Sequence, residues 1–332
     1  MRAISRCAAV LAVVAAGFVV VGHRAGAETR ATGTLQLLVE PQAGMGPIDQ
    51  YLRAARHSVD LEMYELEDPV VESILAADAA RGVRVRVILD EAYIGSENSA
   101  AFSYLATHHV TVRWAPARFD LDHEKAAVID DATALVMTMN FTARYYAHTR
   151  DVVVVDTEPA DVAAIESTFD ADWSRGGAGT APTGADLLWS PGSEGALVGL
   201  IGSARVSVDV ENEEMGDADV TAALTAAARR GVHVVVVMTA DSEWDGVLGE
   251  LSEAGAEVRT YPDTPSALYI HAKIVVVDAG SADERAFVGS ENFSVTSLVF
   301  NRELGIVTSR PGVAEALAHL VASDATGGET WR

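Results

Sequence analysis

One stretch decides how this chain folds: Tyr269-Ile270-His271-Ala272-Lys273-Ile274-Val275-Val276-Val277-Asp278. A second copy of its pattern, His123-Glu124-Lys125-Ala126-Ala127-Val128-Ile129-Asp130, has the same spacing of His, Lys and Asp. The β-branched residues favour strands, and residues i and i+2 of a strand share a face. Each copy therefore presents an imidazole beside an ammonium group, a pairing that is suited to chemistry on an anion.

Lys125 and Lys273 are the only lysines in the 332-residue sequence. All other basic side chains except His are Arg, so the chain uses Arg wherever a general cation suffices. Lys offers a compact, rotatable ammonium group, whereas Arg offers a planar fork. The position of both lysines, two residues after a His, predicts a specific role for the ammonium group. Two unrelated strands with incidental polar residues are the simpler alternative, and the duplication disfavours it.

The two copies belong to a longer internal repeat. Arg81–Val83 recurs as Arg230–Val232 after 149 residues, and Asn140 recurs as Asn292 after 152 residues. A period of this length indicates a duplicated domain rather than a solenoid. Strand-like and helix-like segments alternate in each half, which predicts an α/β fold. The predicted ranges are a signal segment at 1–27, domains at 28–175 and 185–323, a Gly-, Thr- and Pro-rich linker at 176–184, and a frayed tail at 324–332.

Each motif strand is followed by a turn that ends in Asn and then by an acid. The turns are Met137–Asn140 and Gly289–Asn292, and the acids are Asp151 and Glu303, each directly after an Arg. Each half therefore supplies a His, a Lys, an Asn, a hydroxyl group and a carboxylate. Together such groups can hold an anion, transfer a proton and stabilise developing charge.

The duplicated HxKxxxxD pattern, with a downstream turn of G-S-x-N type, resembles the phospholipase D superfamily. The resemblance extends from about Leu35 to Ser323. It implies two α/β/α domains, each a mixed sheet flanked by helices, related by a pseudo-two-fold axis with one active site at their interface. It also implies that no cofactor and no metal ion is needed, because cationic side chains stabilise the phosphate.

The resemblance implies a role for each residue of the repeated motif. His123 would attack phosphorus to form a phosphohistidine, and His271 would protonate the leaving alcohol and then activate water. Asp151 and Glu303 would each orient the His of their own half. The residues expected to hold the phosphate oxygens are Lys125, Lys273, Asn140, Asn292, Thr138 and Ser290, while Asp130 and Asp278 are expected to be structural.

The first turn departs from the family pattern at Met137, where Gly usually stands. Met lacks the backbone freedom of Gly, so we expect the first turn to be reshaped. Thr138 keeps a hydroxyl group, but the pattern defines its contact less well than that of Ser290.

The N-terminus has the pattern of a secretory signal. Arg2 and Arg6 precede an apolar run from Cys7 to Gly22, and Ala25–Ala27 offers a small-residue cleavage site. The run is short for a membrane span, and an uncleaved membrane anchor is the alternative. Cleavage would remove the only Cys, and with it any disulfide or thiolate chemistry. We therefore expect a secreted protein.

The chain is strongly acidic, with a formal net charge of −24 at pH 7. Such a surface repels nucleic acids and strongly anionic membranes, although net charge does not determine what one local pocket binds. The expected partner is a phospholipid at a membrane or micelle surface, and the charge disfavours nucleic acid as a partner without excluding it. The expected state is a monomer.

The leading interpretation is a secreted phospholipase D-type phosphodiesterase, which cleaves the distal phosphodiester of a glycerophospholipid to phosphatidic acid and a head-group alcohol. A nuclease of the same superfamily is one alternative, which the lack of a basic groove disfavours. A phosphatidyl transferase of the cardiolipin synthase type is another, although such proteins usually carry membrane spans. An inactive binding module is the last, and the intact His, Lys and Asn in both halves disfavour it. Head-group specificity stays open.

Three further groups are given ordinary roles. The His108-His109 pair is expected to be exposed or satisfied by ordinary hydrogen bonds rather than bound to a metal ion, because neighbours on a strand point to opposite faces. The acidic run Glu211–Glu214 is expected to be a solvated loop or the rim of a pocket. For the Tyr145-Tyr146 pair and Trp244, a role in packing or at the surface is as open as a place in a lipid-binding cleft.

Overall fold

A computed structural model of the chain describes residues 33–175 and 181–331. The predicted signal segment at 1–27, with Cys7, lies outside the described residues, as does most of the predicted linker at 176–184. Within the described part, no helix is long and apolar enough to cross a lipid bilayer.

Helices and strands alternate through the first half. In chain order they are β1 (Leu35–Glu40), α1 (Gly46–Arg53), β2 (Ser58–Met63), β3 (Leu66–Glu67), α2 (Pro69–Ala80), β4 (Arg84–Leu89), α3 (Gly95–Thr107), β5 (Thr111–Trp114), β6 (Lys125–Ile129), β7 (Thr133–Met137), β8 (Phe141–Thr142), β9 (Thr149–Asp156) and α4 (Pro159–Trp173). The main sheet has the order β1-β9-β7-β6-β2-β4-β5. Strands β2, β4 and β5 are parallel to one another, and the remaining pairs along this path are antiparallel.

The second half repeats this plan. Its elements are β10 (Leu187–Ser190), α5 (Glu194–Ser203), β11 (Ser207–Glu211), α6 (Ala218–Arg229), β12 (His233–Thr239), α7 (Asp245–Glu253), β13 (Glu257–Tyr261), β14 (Tyr269–Ile270), β15 (Lys273–Val277), β16 (Arg285–Gly289), a π-helical turn (Thr296–Phe300), β17 (Glu303–Thr308), α8 (Pro311–Gly327) and β18 (Glu329–Thr330). The sheet order, β10-β17-β16-β15-β11-β12-β13-β18, matches the first sheet strand by strand and adds β18 at its edge. The predicted duplicated α/β fold is confirmed.

The same local signals start and stop equivalent helices in the two halves. The Asp68 and Asp217 carboxylates accept hydrogen bonds from backbone N–H groups in the first turns of α2 and α6, which have no partner within the helix. Each helix is followed by a glycine in the left-handed region, with φ of 93° at Gly82 and 87° at Gly231. Glycine adopts this conformation without a steric penalty.

The hydrophobic core lies on both faces of each sheet. One cluster fills the space between the first sheet and α1–α3, and another lies between the second sheet and α5–α7. A third cluster is shared: it joins Val128 and Val154 of the first sheet to Val276 and Ile306 of the second, together with α4 and α8. Strands buried on both faces read as continuous apolar runs, as in His233–Thr239. The shared cluster holds the two sheets together.

The C-terminal residues belong to the fold. The prediction of a frayed tail at 324–332 is wrong, because α8 continues to Gly327 and β18 pairs with the edge strand β13. Asp324 is buried, and Trp331 packs against the core of the second half. This segment is rich in small and polar residues, as ordinary chain ends are. Its composition therefore gives no signal for the strand pairing.

Candidate active site

Two short backbone pairings join the halves beside the motif strands. Strand β14 pairs in parallel with the start of β9, and the backbone N–H of His271 donates to the carbonyl of Arg150 at 3.2 Å. In the equivalent place, Asp122 bridges to Arg302, and the N–H of His123 donates to the Arg302 carbonyl at 3.0 Å. Each His therefore lies beside the Arg that precedes the acid of the opposite half.

This crossing decides which acid meets which imidazole. Nδ1 of His123 lies 2.9 Å from Oε2 of Glu303, and Nδ1 of His271 lies 2.8 Å from Oδ1 of Asp151. The prediction that each acid orients the His of its own half is therefore wrong. The backbone pairing between the halves is the physical reason, since it sets each His next to the first residues of the other half's acid-bearing strand.

The His123–Glu303 pair has a defined protonation pattern. Burial lowers the pKa of His123, so that its imidazole is neutral at pH 7. Burial opposes ionisation of Glu303, but His123 and the ammonium of Lys125 hold the pKa of Glu303 below its usual range. An ionised carboxylate only accepts hydrogen bonds, so Nδ1 of His123 donates and Nε2 keeps its lone pair. A neutral imidazole with a free Nε2 can act as a nucleophile.

The two hydroxyl groups of the turns hold the acids rather than the substrate. Thr138 and Ser290 are fully buried. The Thr138 hydroxyl donates to Asp151 at 2.6 Å, and hydrogen bonding from Ser290 contributes to the low pKa of Glu303. Each hydroxyl oxygen also accepts the backbone N–H of the residue that follows the acid. The prediction that Thr138 and Ser290 bind substrate is wrong, because their direction is inward, toward the acid-bearing strand.

The expected reshaping of the first turn at Met137 does not occur. Gly289 ends β16 opposite Gly305, and Met137 ends β7 in the equivalent position. Gly289 does not adopt a left-handed φ, so its role is spatial: a Cβ there would lie 2.4 Å from the Gly305 Cα and 2.4 Å from Oε2 of Glu291. In the first half Met139 replaces Glu291, and no carboxyl group has to be accommodated.

Both lysine side chains are buried, at 1% and 0% exposure. Each Nζ donates to the carbonyl of the His two residues earlier, at 2.6 Å for Lys125 and 2.5 Å for Lys273. Lys125 also lies 4.8 Å from the ring centre of Tyr64, and burial lowers its pKa to about 7. Lys273 instead faces Glu213, with Nζ 3.1 Å from Oε2. Tyr64 and Glu213 occupy equivalent positions of the repeat.

Glu213 is the site residue that sequence analysis missed. Besides the ammonium of Lys273, its Oε2 lies 3.5 Å from Nε2 of His271 and 3.3 Å from Nδ2 of Asn292, and its Oε1 accepts the Tyr269 hydroxyl at 2.8 Å. Burial opposes ionisation, but the ammonium and imidazole groups hold the pKa of Glu213 far below its usual range. The repeat carried a signal, since an acid here replaces an aromatic residue of the first half.

The two His and two Asn line one cleft of about 1200 Å³. The Oδ1 atoms of Asn140 and Asn292 are buried there, and no group of the described residues forms a hydrogen bond with them. Its two sides differ in chemistry, and we name them by the residues that distinguish them. The tyrosine wall, from the first half, carries Tyr64, Tyr93, Tyr145 and Tyr146 with Glu65 and Arg144, and the acidic wall, from the second half, carries Glu213, Glu214, Glu243 and Asp263 with Trp244 and Tyr269.

Asp130 and Asp278 make equivalent backbone contacts at the ends of the motif strands. Each carboxylate accepts hydrogen bonds from three successive backbone N–H groups, which lead into β2 in the first half and β11 in the second. Burial opposes their ionisation, but these donors hold the pKa of both groups below the usual range. The contacts tie the motif strand to its neighbour, which is a structural role.

Other polar groups lie away from the cleft. The exposed His108 stacks on Tyr104 at the end of α3. The carboxylates of Asp60, Asp131 and Glu166 gather within 4.8 Å of one another. Asp60 forms ion pairs with two arginines, at 3.0 and 2.5 Å, which accounts for its burial.

Two buried ion pairs cross between the halves behind the site. Nη2 of Arg150 lies 2.9 Å from Asp324, and Nε of Arg302 lies 2.8 Å from Asp172. The carboxyl groups of Glu62 and Glu211 are buried at equivalent positions, where Glu62 lies beside Asp122 and Glu211 beside Asp324. Burial raises the pKa of both well above the usual value. The acid-bearing strands are therefore fixed to the opposite half by charge as well as by backbone pairing.

A comparison with protein families identifies the repeat. The family model described as "Cardiolipin synthase, PLD-like domain" matches residues 48–173 and again residues 197–324. The chain belongs to the phospholipase D superfamily. Members of this superfamily process phosphodiesters as hydrolases or transferases.

The proteins that this chain resembles are named for different reactions. The mitochondrial cardiolipin hydrolase of Xenopus laevis is 26% identical over 124 residues, which cover 37% of this chain and 58% of that protein. Polyphosphate kinase from Porphyromonas gingivalis superposes with a TM-score of 0.67 at 14% identity, over 88% of this chain and 50% of its own. Phosphatidylserine synthase from Haemophilus influenzae Rd KW20 superposes with a TM-score of 0.67 at 12% identity, over 90% and 87%. The chain thus spans less than two thirds of the hydrolase and half of the kinase, and the structural likenesses show the fold alone.

Proposed function

We propose that the protein is a secreted phospholipase D-type phosphodiesterase, which hydrolyses the distal phosphodiester of a glycerophospholipid to phosphatidic acid and a head-group alcohol. One observation carries the proposal: His123 and His271 line a single cleft, and each holds a carboxylate of the opposite half at Nδ1. Two oriented imidazoles at one anion site supply a nucleophile and an acid.

The reaction has two steps, and His271 transfers a proton in opposite directions in them: it donates in the first step and accepts in the second. In the first, Nε2 of His123 attacks phosphorus, the P–N bond forms, and the P–O bond to the head group breaks as His271 gives its Nε2 proton to the leaving oxygen. In the second, His271 takes a proton from water, the water oxygen attacks phosphorus, and the P–N bond breaks. Glu303 and Asp151 stabilise the positive charge on the imidazole that each contacts.

Positive side chains stabilise the phosphate during both steps. Lys125 and Lys273 bring ammonium groups close to the two imidazoles, and Asn140 and Asn292 supply amide groups at the cleft. Such fixed donors stabilise the charge that develops on the non-bridging oxygens. This scheme uses no metal ion, because the ammonium groups provide the positive charge.

Phosphatidyl transfer is the second candidate, and the cardiolipin synthase description of the family model favours it. In that reaction an alcohol replaces water in the second step. A nuclease is less well supported, because the acidic wall and the net charge of −24 would repel a polyanion.

The test is to incubate the protein with phosphatidylcholine and, separately, with single-stranded DNA, both with EDTA present. Release of choline with formation of phosphatidic acid, lost in His123→Ala, is the expected result. An added alcohol that appears in the lipid product would identify a transferase. Cleavage of DNA with no action on lipid would overturn the lipid substrate, and activity that EDTA removes and a divalent ion restores would overturn the mechanism.

Secretion is part of the proposal and rests on residues 1–27. Cleavage after Ala27 would give a mature N-terminus at Glu28. N-terminal sequencing of protein recovered from the culture medium should find this residue. Recovery of the protein only in membranes, with residues 1–27 retained, would favour the uncleaved anchor.

A further inference from the structure

Glu213 contacts the hydrogen-bond donors through which the second half could bind a phosphate. Its Oε2 lies 3.1 Å from Nζ of Lys273, 3.3 Å from Nδ2 of Asn292 and 3.5 Å from Nε2 of His271. In the first half Tyr64 takes the equivalent place, with its ring centre 4.5 Å from that of His123 in an edge-on arrangement. The second half therefore holds an internal anion where the first half holds a neutral ring.

The charges around the reacting phosphate make Glu213 a problem for a substrate with an uncharged head group. Glu213, Asp151 and Glu303 bring three carboxylates to a site with two ammonium groups, and a phosphodiester adds a further negative charge. If the phosphate takes Lys273, Glu213 loses its ammonium partner and keeps two uncharged ones, the Tyr269 hydroxyl and the Asn292 amide. Its side chain is only 24% exposed, and leaving a charge unpaired in such a position costs free energy.

We propose that Glu213 selects substrates whose leaving group carries a positive charge, an inference that rests on the proposed phosphodiesterase function. In the free protein Glu213 pairs with Lys273. When the substrate binds, its phosphate pairs with Lys273, and the ammonium group of the head group pairs with Glu213. One internal ion pair is thus replaced by two pairs with the substrate, and no charge is left without a partner.

The position of Glu213 relative to His271 indicates on which side of the cleft the head group leaves. His271, the imidazole beside Glu213, is the one that gives its proton to the leaving head group. The leaving group therefore lies on the side of the cleft that holds Glu213. Asn292 is 5% exposed, its Nδ2 faces carboxylates, and its Oδ1 has no partner within the described part of the chain. An ethanolamine head group can donate an N–H group to this acceptor, whereas a choline head group has no N–H and contacts Glu213 through its charge alone.

The rest of the acidic wall has the same character. Glu214, Glu243 and Asp263 extend the negative charge toward solvent, and no Lys or Arg stands among the described residues that line this wall. Trp244 and Tyr269 offer aromatic faces, which attract ammonium groups. The combination fits choline or ethanolamine phosphodiesters better than glycerol phosphodiesters.

The test compares dihexanoyl phosphatidylcholine with dihexanoyl phosphatidylglycerol below their micelle-forming concentrations, so that the charge of a lipid surface does not contribute. We expect kcat/KM to favour choline by about tenfold or more, because only the choline head group brings a positive charge to Glu213. Glu213→Gln should remove most of this preference by slowing the choline lipid and accelerating the glycerol lipid. Glu253→Gln is the matched control, since it removes one negative charge at the exposed end of α7, outside the cleft lining, and should retain the preference.

A binding measurement separates failure of this inference from failure of the proposed function. Calorimetry should find that phosphocholine binds more tightly than glycerol 3-phosphate, and that Glu213→Gln removes the difference. That result in a protein that hydrolyses no lipid would support the inference while overturning the proposed function. Equal hydrolysis of both lipids, or a choline preference that persists in Glu213→Gln, would overturn the inference and leave the function standing.

Discussion

The two halves place His, Lys and Asn at the same strand ends, yet they surround these groups differently. In the first half the ring of Tyr64 lies against His123 and Lys125, and burial lowers the pKa of Lys125 to about 7. In the second half the carboxylate of Glu213 contacts the equivalent His and Lys. The repeated fold sets the positions of the reacting groups. Glu213, just after β11, sets the charge beside His271 and Lys273.

This difference separates the roles of two imidazoles that share one geometry. His123 is buried, contacts one carboxylate and is neutral at pH 7, which suits attack on phosphorus. His271 lies between two carboxylates, Asp151 at Nδ1 and Glu213 at Nε2. An imidazole with a carboxylate at each nitrogen is placed as a proton carrier rather than as a nucleophile. The asymmetry supports the order of events proposed above.

The largest effects should come from the imidazoles themselves. His123→Ala and His271→Ala should each lower lipid hydrolysis by about 10⁴-fold or more. With a p-nitrophenyl phosphodiester, whose leaving group needs no proton, His271→Ala should still form a phosphohistidine, because only the acid has been removed. Mass spectrometry of the trapped protein checks the site of the adduct. An adduct on His271 in the His123→Ala variant would reverse the two roles.

The next prediction concerns Asp151 and Glu303, each of which contacts the His of the opposite half. Asp151→Asn and Glu303→Gln should each lower kcat by roughly 10² to 10⁴-fold, because the imidazole that each contacts loses its orientation and counter-charge. In a His271→Ala background, with the p-nitrophenyl substrate, Asp151→Asn should add little and Glu303→Gln should act in full. The opposite pattern would mean that each acid serves the His of its own half.

The buried ion pairs should contribute unequally to stability. Arg150→Met leaves Asp324 buried without its partner and should lower the free energy of unfolding by about 3–5 kcal/mol. The matched variant Arg302→Met should cost less, because Asp172 keeps its contact with Arg118. Urea denaturation of both variants checks the order. An Arg150→Met/Asp324→Leu double variant should regain much of the loss, and equal costs in the two halves would contradict the predicted asymmetry.

The smallest effect concerns the two lysines. Lys125, with its pKa lowered to about 7, carries a full charge below that pH and loses it above. Sulfate keeps the same charge in this range, so its affinity should fall by up to about tenfold from about pH 6 to about pH 8. Lys273→Met should retain this pH dependence and Lys125→Met should abolish it, as measured by calorimetry. A flat profile in the unsubstituted protein would contradict the low pKa of Lys125.

The sequence predicts the helices, the strands and their shared topology in the two halves, because the signals for these features are local. Apolar strand runs that alternate with helix-like segments predict the elements, and the repeat predicts that the halves share one topology. The motif also predicted which His, Lys, Asn and acid belong to the site. All of these line or adjoin one cleft.

What the sequence could not predict depends on contacts between distant segments. The crossing of Asp151 and Glu303 follows from backbone pairing between the halves, which no local pattern encodes. The inward direction of the Thr138 hydroxyl and the spatial role of Gly289 depend on neighbouring strands. Glu213 was hidden in an acidic run of ordinary composition, and only its alignment with Tyr64 distinguishes it from a solvated acid.

The buried carboxyl groups of Glu62, Glu211 and Glu291 make folding of this protein a proton-binding reaction. Burial raises the pKa of all three well above the usual value, whereas an unfolded chain releases the same protons near pH 4 to 5, as ordinary Glu side chains do at about 4.3. Between these limits the native state holds protons that the unfolded state has lost, so its stability decreases as pH rises through this window. There the folded molecule carries fewer negative charges than its unfolded chain, and mild acid favours the native state.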